Sequence, residues 1–341
     1  MQALAIKYRP KTFDDVTEQE SIKVILEQQL SSDALQHCYL FVGGAGTGKT
    51  TTARIFANEI NKGQGSPIEL DAASNNSVDD MRDLIQQAQT KSLNSEYKCF
   101  IVDECHMITT QGWNAILKLI EEPPAKSIFI FCTTDPQKIP KTILSRVQRY
   151  DFQRISQDGV VKRLEWIIQH ELVERYQPDA LEYIAKIADG GMRDAITLLD
   201  KCLAYNTDVT LENVVKALGT VNYQIMRELT DAVIENHATD IIDIIEEIHA
   251  DGKDLKQFVK QYTHFLLDAE KFFIGCDWKY LSIPKLPELE EWLDSCGDYE
   301  QNVIYALLKM CVKLNSEIKY SATVKLDIET AFMLEFGGDK E

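Results

Sequence analysis

Residues 39–57 read as one continuous unit. Tyr39-Leu40-Phe41-Val42 is an apolar run suited to a buried strand, Gly43–Thr50 fits the pattern G-x-x-x-x-G-K-[ST], and Thr51–Ala57 reads as a helix. Strand, glycine loop and helix in this order predict a phosphate-binding loop. Glycines at 43, 46 and 48 let backbone N–H groups approach phosphates, and the helix N-terminus adds a dipole that favours negative charge. Lys49 is expected to reach the β- and γ-phosphates and Thr50 to ligate Mg²⁺, with Thr47 and Thr51 beside them, so the expected ligand is a nucleoside triphosphate.

The same alternation continues. Strand-like runs at Ile68–Asp71, Cys99–Val102, Ser127–Cys132 and Arg149–Phe152 are separated by helical stretches near 49–60, 77–91, 111–121 and 140–145. This pattern predicts an α/β P-loop domain, a parallel sheet with helices on both faces. After Ser156 the strand signal stops. Helices are expected at Val160–Leu172 and Pro178–Ala188, then, past the break at Gly190-Gly191, at Met192–Ala204. From about 209 onward only helical periodicity remains, as in Ile225–Asn236 and Leu255–Phe273. Three domains are expected: 1–155 an ATPase domain, 156–205 a small helical lid, and 206–341 an all-α domain. With 341 residues there is enough chain for them.

Net charge is −18, unevenly spread: residues 1–155 carry 17 basic and 19 acidic side chains, residues 156–341 carry 19 and 35. Any nucleic-acid contact should therefore come from the N-terminal part. The eight cysteines form no C-x-x-C pair, so buried thiols in a reducing compartment are expected rather than disulfides or a zinc site. No apolar run approaches a membrane span, and the N-terminus lacks a signal peptide's pattern. These features predict a cytoplasmic protein with no membrane partner.

Chemistry-bearing residues recur where strands end. Cys99–Glu104 is an apolar strand closing on two acids. Asp103 is expected in the Mg²⁺ shell and Glu104 as the general base that polarises water; the bland alternative is two solvated acids. Thr134, after the strand Ser127–Cys132, could contact the γ-phosphate or orient water. Arg146 in Leu144–Arg149 could act in cis, reach a neighbouring subunit's ATP, or serve only in a surface ion pair. Arg193, after the glycine pair, could lean onto the γ-phosphate. Tyr8-Arg9-Pro10 and Val16 could pack on an adenine, or form an ordinary N-terminal staple.

Together these segments resemble the clamp-loader AAA+ ATPases, and among them the gamma/tau subunits of bacterial DNA polymerase III. The resemblance is carried by Lys7–Val16, the phosphate loop, Ile68–Asn75, Asp103–Met107, Glu121–Pro124, Thr133–Pro140 and Ser145-Arg146. It is dense over about 1–205 and weaker beyond. It implies five related subunits in an open ring joined by C-terminal helical collars, with ATP at subunit interfaces. Such a ring opens a sliding clamp and places it on primer–template DNA, and hydrolysis releases the clamp. By matching positions the resemblance makes Arg146 a finger acting in trans, Thr134 the first sensor and Arg193 the second. It sets Lys7–Val16 at the adenine. It also implies that the helix after Asp71–Asn75 faces the clamp, where Val78, Met81 and Ile85 share one side, and that Ser77 and Thr109 at helix starts hold template phosphates.

The departures are specific. Gamma/tau proteins commonly insert a four-cysteine zinc module after the phosphate-loop helix; here only Asn61–Ser66 stands there, so no zinc is expected. Val147 replaces the usual cysteine after Ser-Arg, and Glu18 a common glycine. The chain ends near 341 without the long extension of tau forms, which suggests a compact gamma-like version, phage-encoded or otherwise divergent, working in a bacterial or infected-host cytoplasm. A D-E-x-H helicase, a branch-migration motor and a non-hydrolysing stator subunit are the competing readings.

Overall fold

The computed structural model describes residues 2–32, 34–92, 94–173, 175–218, 223–250, 252 and 254–336. Contacts divide the chain into two units, 1–208 and 209–341.

The first unit is built on five strands: β1 (Cys38–Val42), β2 (Ile68–Asp71), β3 (Lys98–Asp103), β4 (Ser127–Thr133) and β5 (Gln148–Asp151). They are all parallel, in the order β2-β3-β4-β1-β5. The helices are α1 (Leu4–Lys7), α2 (Glu20–Ser32), α3 (Lys49–Ile60), α4 (Val78–Gln89), α5 (Thr110–Glu121), α6 (Lys141–Leu144), α7 (Gln157–His170), α8 (Pro178–Ile187) and α9 (Met192–Tyr205). The expected strands and helices are all present, with ends shifted by a few residues. Helix α2 fills a stretch to which no element had been assigned.

The sheet is apolar on both faces because helices cover both, which is why its central strands read as unbroken hydrophobic runs. Alternate residues serve opposite cores. Leu40, Phe100, Val102, Phe129 and Phe131 pack with α4 and α5 residues such as Met81 and Trp113. Tyr39, Phe41, Ile101, Ile130 and Cys132 pack with α2 and α3 residues such as Leu26 and Phe56. Phe100 and Phe129 stack across β3 and β4 at 5.0 Å. With the backbone fixed this way, the C-terminal ends of β1, β3 and β4 lie side by side, where parallel α/β sheets place their ligands.

Helices α7–α9 follow the sheet and are joined to it by short-range contacts. Glu18, at φ 57°, accepts hydrogen bonds from Ser156, one from its hydroxyl and one from its amide at 3.1 Å. Ser156 is the N-cap of α7, and its hydroxyl accepts from Gly159 N. Glu18 thus adopts a left-handed backbone that a glycine would take more readily, offset by two bonds that glycine cannot make.

The second unit holds α10 (Leu211–Leu218), α11 (Tyr223–Ile234), α12 (Ala238–Ala250), α13 (Leu255–Phe273), α14 (Pro287–Ser295), α15 (Asp298–Glu317) and α16 (Val324–Phe336). Its core centres on α13, whose Phe258, Tyr262 and Phe265 are buried against Ile304, Leu307 and Phe332. Helix α16 is apolar on most sides and leaves Leu334 83% exposed. Among the described residues no helix is long and apolar enough to cross a membrane.

Candidate functional site

The phosphate loop leaves β1 at Gly43 and enters α3 at Lys49. Gly43 lies so near β5 that an added Cβ would meet Phe152 O at 2.6 Å and Phe152 Cβ at 2.9 Å. Gly46 has φ +71°, and a Cβ there would sit 2.9 Å from Gly191 Cα. That approach is used: Met192 N, the first amide of α9, donates to Gly46 O at 3.0 Å. The glycine pair expected to break the chain therefore seats α9 directly on the loop.

Lys49 is 6% exposed and donates to the carbonyls of Gly43 (2.9 Å) and Gly44 (2.7 Å). Burial lowers the pKa of its ammonium below the usual value, while the Glu104 and Asp103 carboxylates act the other way. Thr50 Oγ1 donates to Asp103 Oδ2 at 2.8 Å. Both are hard oxygen donors of the kind Mg²⁺ accepts, and Mg²⁺ commonly takes few protein ligands and completes its shell with water and phosphate. No group of three or more His, Cys, Asp or Glu side chains placed to hold a metal occurs among the described residues.

One cavity of about 490 Å³ gathers these groups. Gly46, Thr47, Gly48, Lys49, Thr50, Thr51, Asp103 and Glu104 line one part of it, and Tyr8, Arg9, Pro10 and Val16 another. Arg193 also lines it, at the start of α9. The size suits a nucleotide. Thr134 is not in the lining but donates to Glu104 Oε2 at 3.0 Å. Gly43 supports the loop from behind. Arg146 stands outside the cavity, with its guanidinium 2.8 Å from Glu121 Oε1 and bonded to Thr142 O and Ser145 Oγ.

Arg163 was not foreseen. It lines the cavity from α7, donates to Tyr8 O at 3.0 Å and lies 4.3 Å from the Trp166 ring centroid. Burial lowers its pKa, with Asp15 opposing. Its sequence signal was only a basic residue in an amphipathic helix. Arg54 and Thr17 join the lining in the same way.

Two expectations about the outer faces need correction. Met81 is 0% exposed and packs under Gly112 and Ile108, so it is a core residue and no partner contact. Ile85 is partly buried against the same core, whereas Val78 is half-buried at the start of α4. At the N-terminus of α4, the Ser77 amide (2.9 Å) and hydroxyl (2.6 Å) both donate to Asp80 Oδ2 in a capping box beside Asp79. Those donors are taken and the charge there is negative, so Ser77 is a poor seat for a phosphate. Thr109, the N-cap of α5, has no acid in the following turn.

These features agree with the comparisons. Residues 60–156 match the family described as DNA polymerase III, delta subunit, and residues 159–208 match the DNA polymerase III clamp loader subunit, ATPase lid domain. The chain is 33% identical over 352 residues to DNA polymerase III subunit tau of Bacillus subtilis (strain 168), an alignment spanning 97% of this chain and 62% of that protein. The chain is thus similar to the DNA polymerase III clamp-loader subunits. DNA polymerase III subunit gamma/tau of Mycoplasma genitalium is 30% identical, over 97% of this chain and 58% of its own length. Escherichia coli (strain K12) DNA polymerase III subunit tau is 35% identical, over 74% and 42%. The clamp-loader relatives are thus longer, and this chain spans about two fifths to three fifths of them. Among solved structures, the Thermotoga maritima RuvB Holliday junction branch migration motor is similar with a TM-score of 0.53 at 20% identity, covering 67% of this chain and 80% of that one. That likeness concerns the fold alone.

The close fit of Gly43 gives a direct test. Gly43→Ala should destabilise the first unit by about 1–3 kcal/mol, because the buried Phe152, whose amide donates to Val42 O at 2.7 Å, would have to shift. Thermal melting checks this, and an unchanged midpoint would mean that β5 gives way freely.

Proposed function

We propose that this chain is an ATP-hydrolysing subunit of a sliding-clamp loader, working beside a replicative DNA polymerase in the bacterial or infected-host cytoplasm. The observation that carries the reading is spatial. The phosphate loop, the Thr50–Asp103 pair, Glu104 and Arg193 surround one cavity, while Arg146 is held outside it on Glu121. An arginine exposed away from its own site is suited to complete a neighbour's.

In this reading Lys49 leaves the Gly43 and Gly44 carbonyls for the β- and γ-phosphates. Thr50 and Asp103 hold Mg²⁺, which when bound neutralises charge on those phosphates. Glu104 takes the proton of the attacking water, and Thr134 orients the Glu104 carboxylate. Arg193 bears on the γ-phosphate from α9, so hydrolysis and lid position are linked through the loop. Tyr8, Arg9, Pro10 and Val16 border the adenine. A neighbouring subunit's Arg146 stabilises charge developing on the transferred phosphoryl group.

The domain division that goes with it is an ATPase domain at 1–155, a lid at 156–205 and an oligomerising collar at 206–341. The partners are four further subunits of a pentameric ring, alike or different, the clamp, and primer–template DNA. Val78 and the exposed side of α4 are assigned to the clamp, and Thr109 to a template phosphate. No structural zinc takes part.

The test is ATP hydrolysis by the assembled protein with and without primed DNA and the cognate clamp. Joint stimulation by both is expected. Stimulation by DNA alone, accompanied by strand separation or junction migration, would replace clamp loading with a helicase or branch-migration activity.

A further inference from the structure

Glu104 sits at φ 45°, in the left-handed region, so the backbone turns sharply out of β3 into a single 3-10 turn at Cys105–Met107. That turn brings His106 back over the Glu104 carboxylate. Its Nδ1 lies 3.3 Å from Glu104 Oε2, and its side chain is only 11% exposed. The same Nδ1 is 3.1 Å from Thr133 Oγ1. Thr134 Oγ1 donates to the same Oε2 at 3.0 Å. Oε2 is therefore faced from two sides, while Oε1 makes no hydrogen bond among the described residues. Thr133 is itself anchored. Its hydroxyl accepts from Asp135 N at 3.0 Å, and its carbonyl accepts from Gly43 N, where the phosphate loop begins, at 3.2 Å.

We propose that His106 is a positioning residue for Glu104: it holds the carboxylate by Oε2, leaves Oε1 as the oxygen presented to water, and ties that orientation to the strand tip from which the phosphate loop is hung. The proposal rests on the reading of Glu104 as general base. An ionised carboxylate only accepts, so the contact requires the tautomer with hydrogen on Nδ1, and the Thr133 oxygen can share that hydrogen. A glutamate has three rotatable bonds, and at a catalytic base a displacement of about 1 Å can cost on the order of 100-fold in rate. A histidine that merely filled space would have its ring nitrogen satisfied by backbone or solvent. This one is hydrogen-bonded to the strand tip at Thr133 and stands within 3.3 Å of the carboxylate.

The experiment compares His106→Ala, His106→Asn, His106→Leu and Glu104→Gln in the full chain, measuring kcat, KM and affinity for a non-hydrolysable ATP analogue. His106→Ala should lower kcat by about 10- to 100-fold, with KM and analogue affinity within about twofold of the unchanged protein. His106→Asn, whose side-chain N–H can reach the place of Nδ1, should recover most of that loss; His106→Leu should not. The Asn-to-Leu contrast decides even where the Ala variant does not fold. The proposal is overturned if His106→Ala keeps kcat within about twofold while Glu104→Gln loses it, if Asn and Leu fall equally, or if analogue affinity drops in step with kcat. Retained turnover in Glu104→Gln would instead remove the base role on which the proposal rests, an outcome seen separately.

Discussion

Glu104→Gln should still bind ATP and should lose hydrolysis by about 10²–10⁴-fold, the usual contribution of a positioned general base. Glutamine has nearly the same shape, can occupy the φ 45° backbone no worse than glutamate, and can still accept from Thr134 Oγ1, so folding and the cavity wall are preserved. What it lacks is a basic oxygen. Single-turnover hydrolysis beside equilibrium binding of labelled ATP separates the two effects. Turnover within about twofold of the unchanged protein would take Glu104 out of the mechanism. The contrast with Lys49→Ala is informative, because losing the lysine removes a positive charge from the phosphate site and should weaken binding itself.

Arg146→Ala should reduce hydrolysis in the assembled protein by about 10³-fold or more, in line with arginines that complete a phosphoryl-transfer site. Each subunit should keep its own affinity for ATP, since Arg146 does not line its own cavity. Stability should barely change. The pair with Glu121 is 38% and 41% exposed, and ion pairs so placed contribute little. Mixing distinguishes the geometry. A ring that combines Arg146→Ala subunits with Lys49→Ala subunits contains interfaces where an intact phosphate loop meets an intact arginine. Mixed rings should therefore recover activity that neither variant has alone. No recovery would assign Arg146 to its own subunit's site.

Much of this architecture could be read from the chain itself, for a physical reason. Strands buried on both faces need unbroken apolar runs such as Ser127–Thr133, and their C-terminal ends must carry whatever the ligand meets, so Asp103 and Glu104 announced themselves by position. The limits were equally physical. Val78, Met81 and Ile85 follow helical spacing, but spacing says only that a stripe is apolar, and Met81 and Ile85 pack in the core that holds Trp113 and Phe129. Ser77 looked like a free helix start until Asp80 turned back on it. Arg163 reached the cavity through the packing of α7 on Tyr8, a contact across 155 residues that local pattern cannot carry. His106 was visible only as part of an Asp-Glu-Cys-His string, because its role depends on one left-handed residue and one short turn.

The bond from Met192 N to Gly46 O, with Gly46 too close to the Gly191 backbone to carry a side chain, bears on how such proteins can be rearranged. The bare backbone at Gly46 and the first turn of α9 must be inherited together, since a side chain at Gly46 would meet the Gly191 backbone. A chimera joining this sheet to a foreign lid would need a matching bare backbone at the junction. Recombination between distant members should therefore exchange residues 1–208 as one block, with crossovers tolerated after that point and selected against within it.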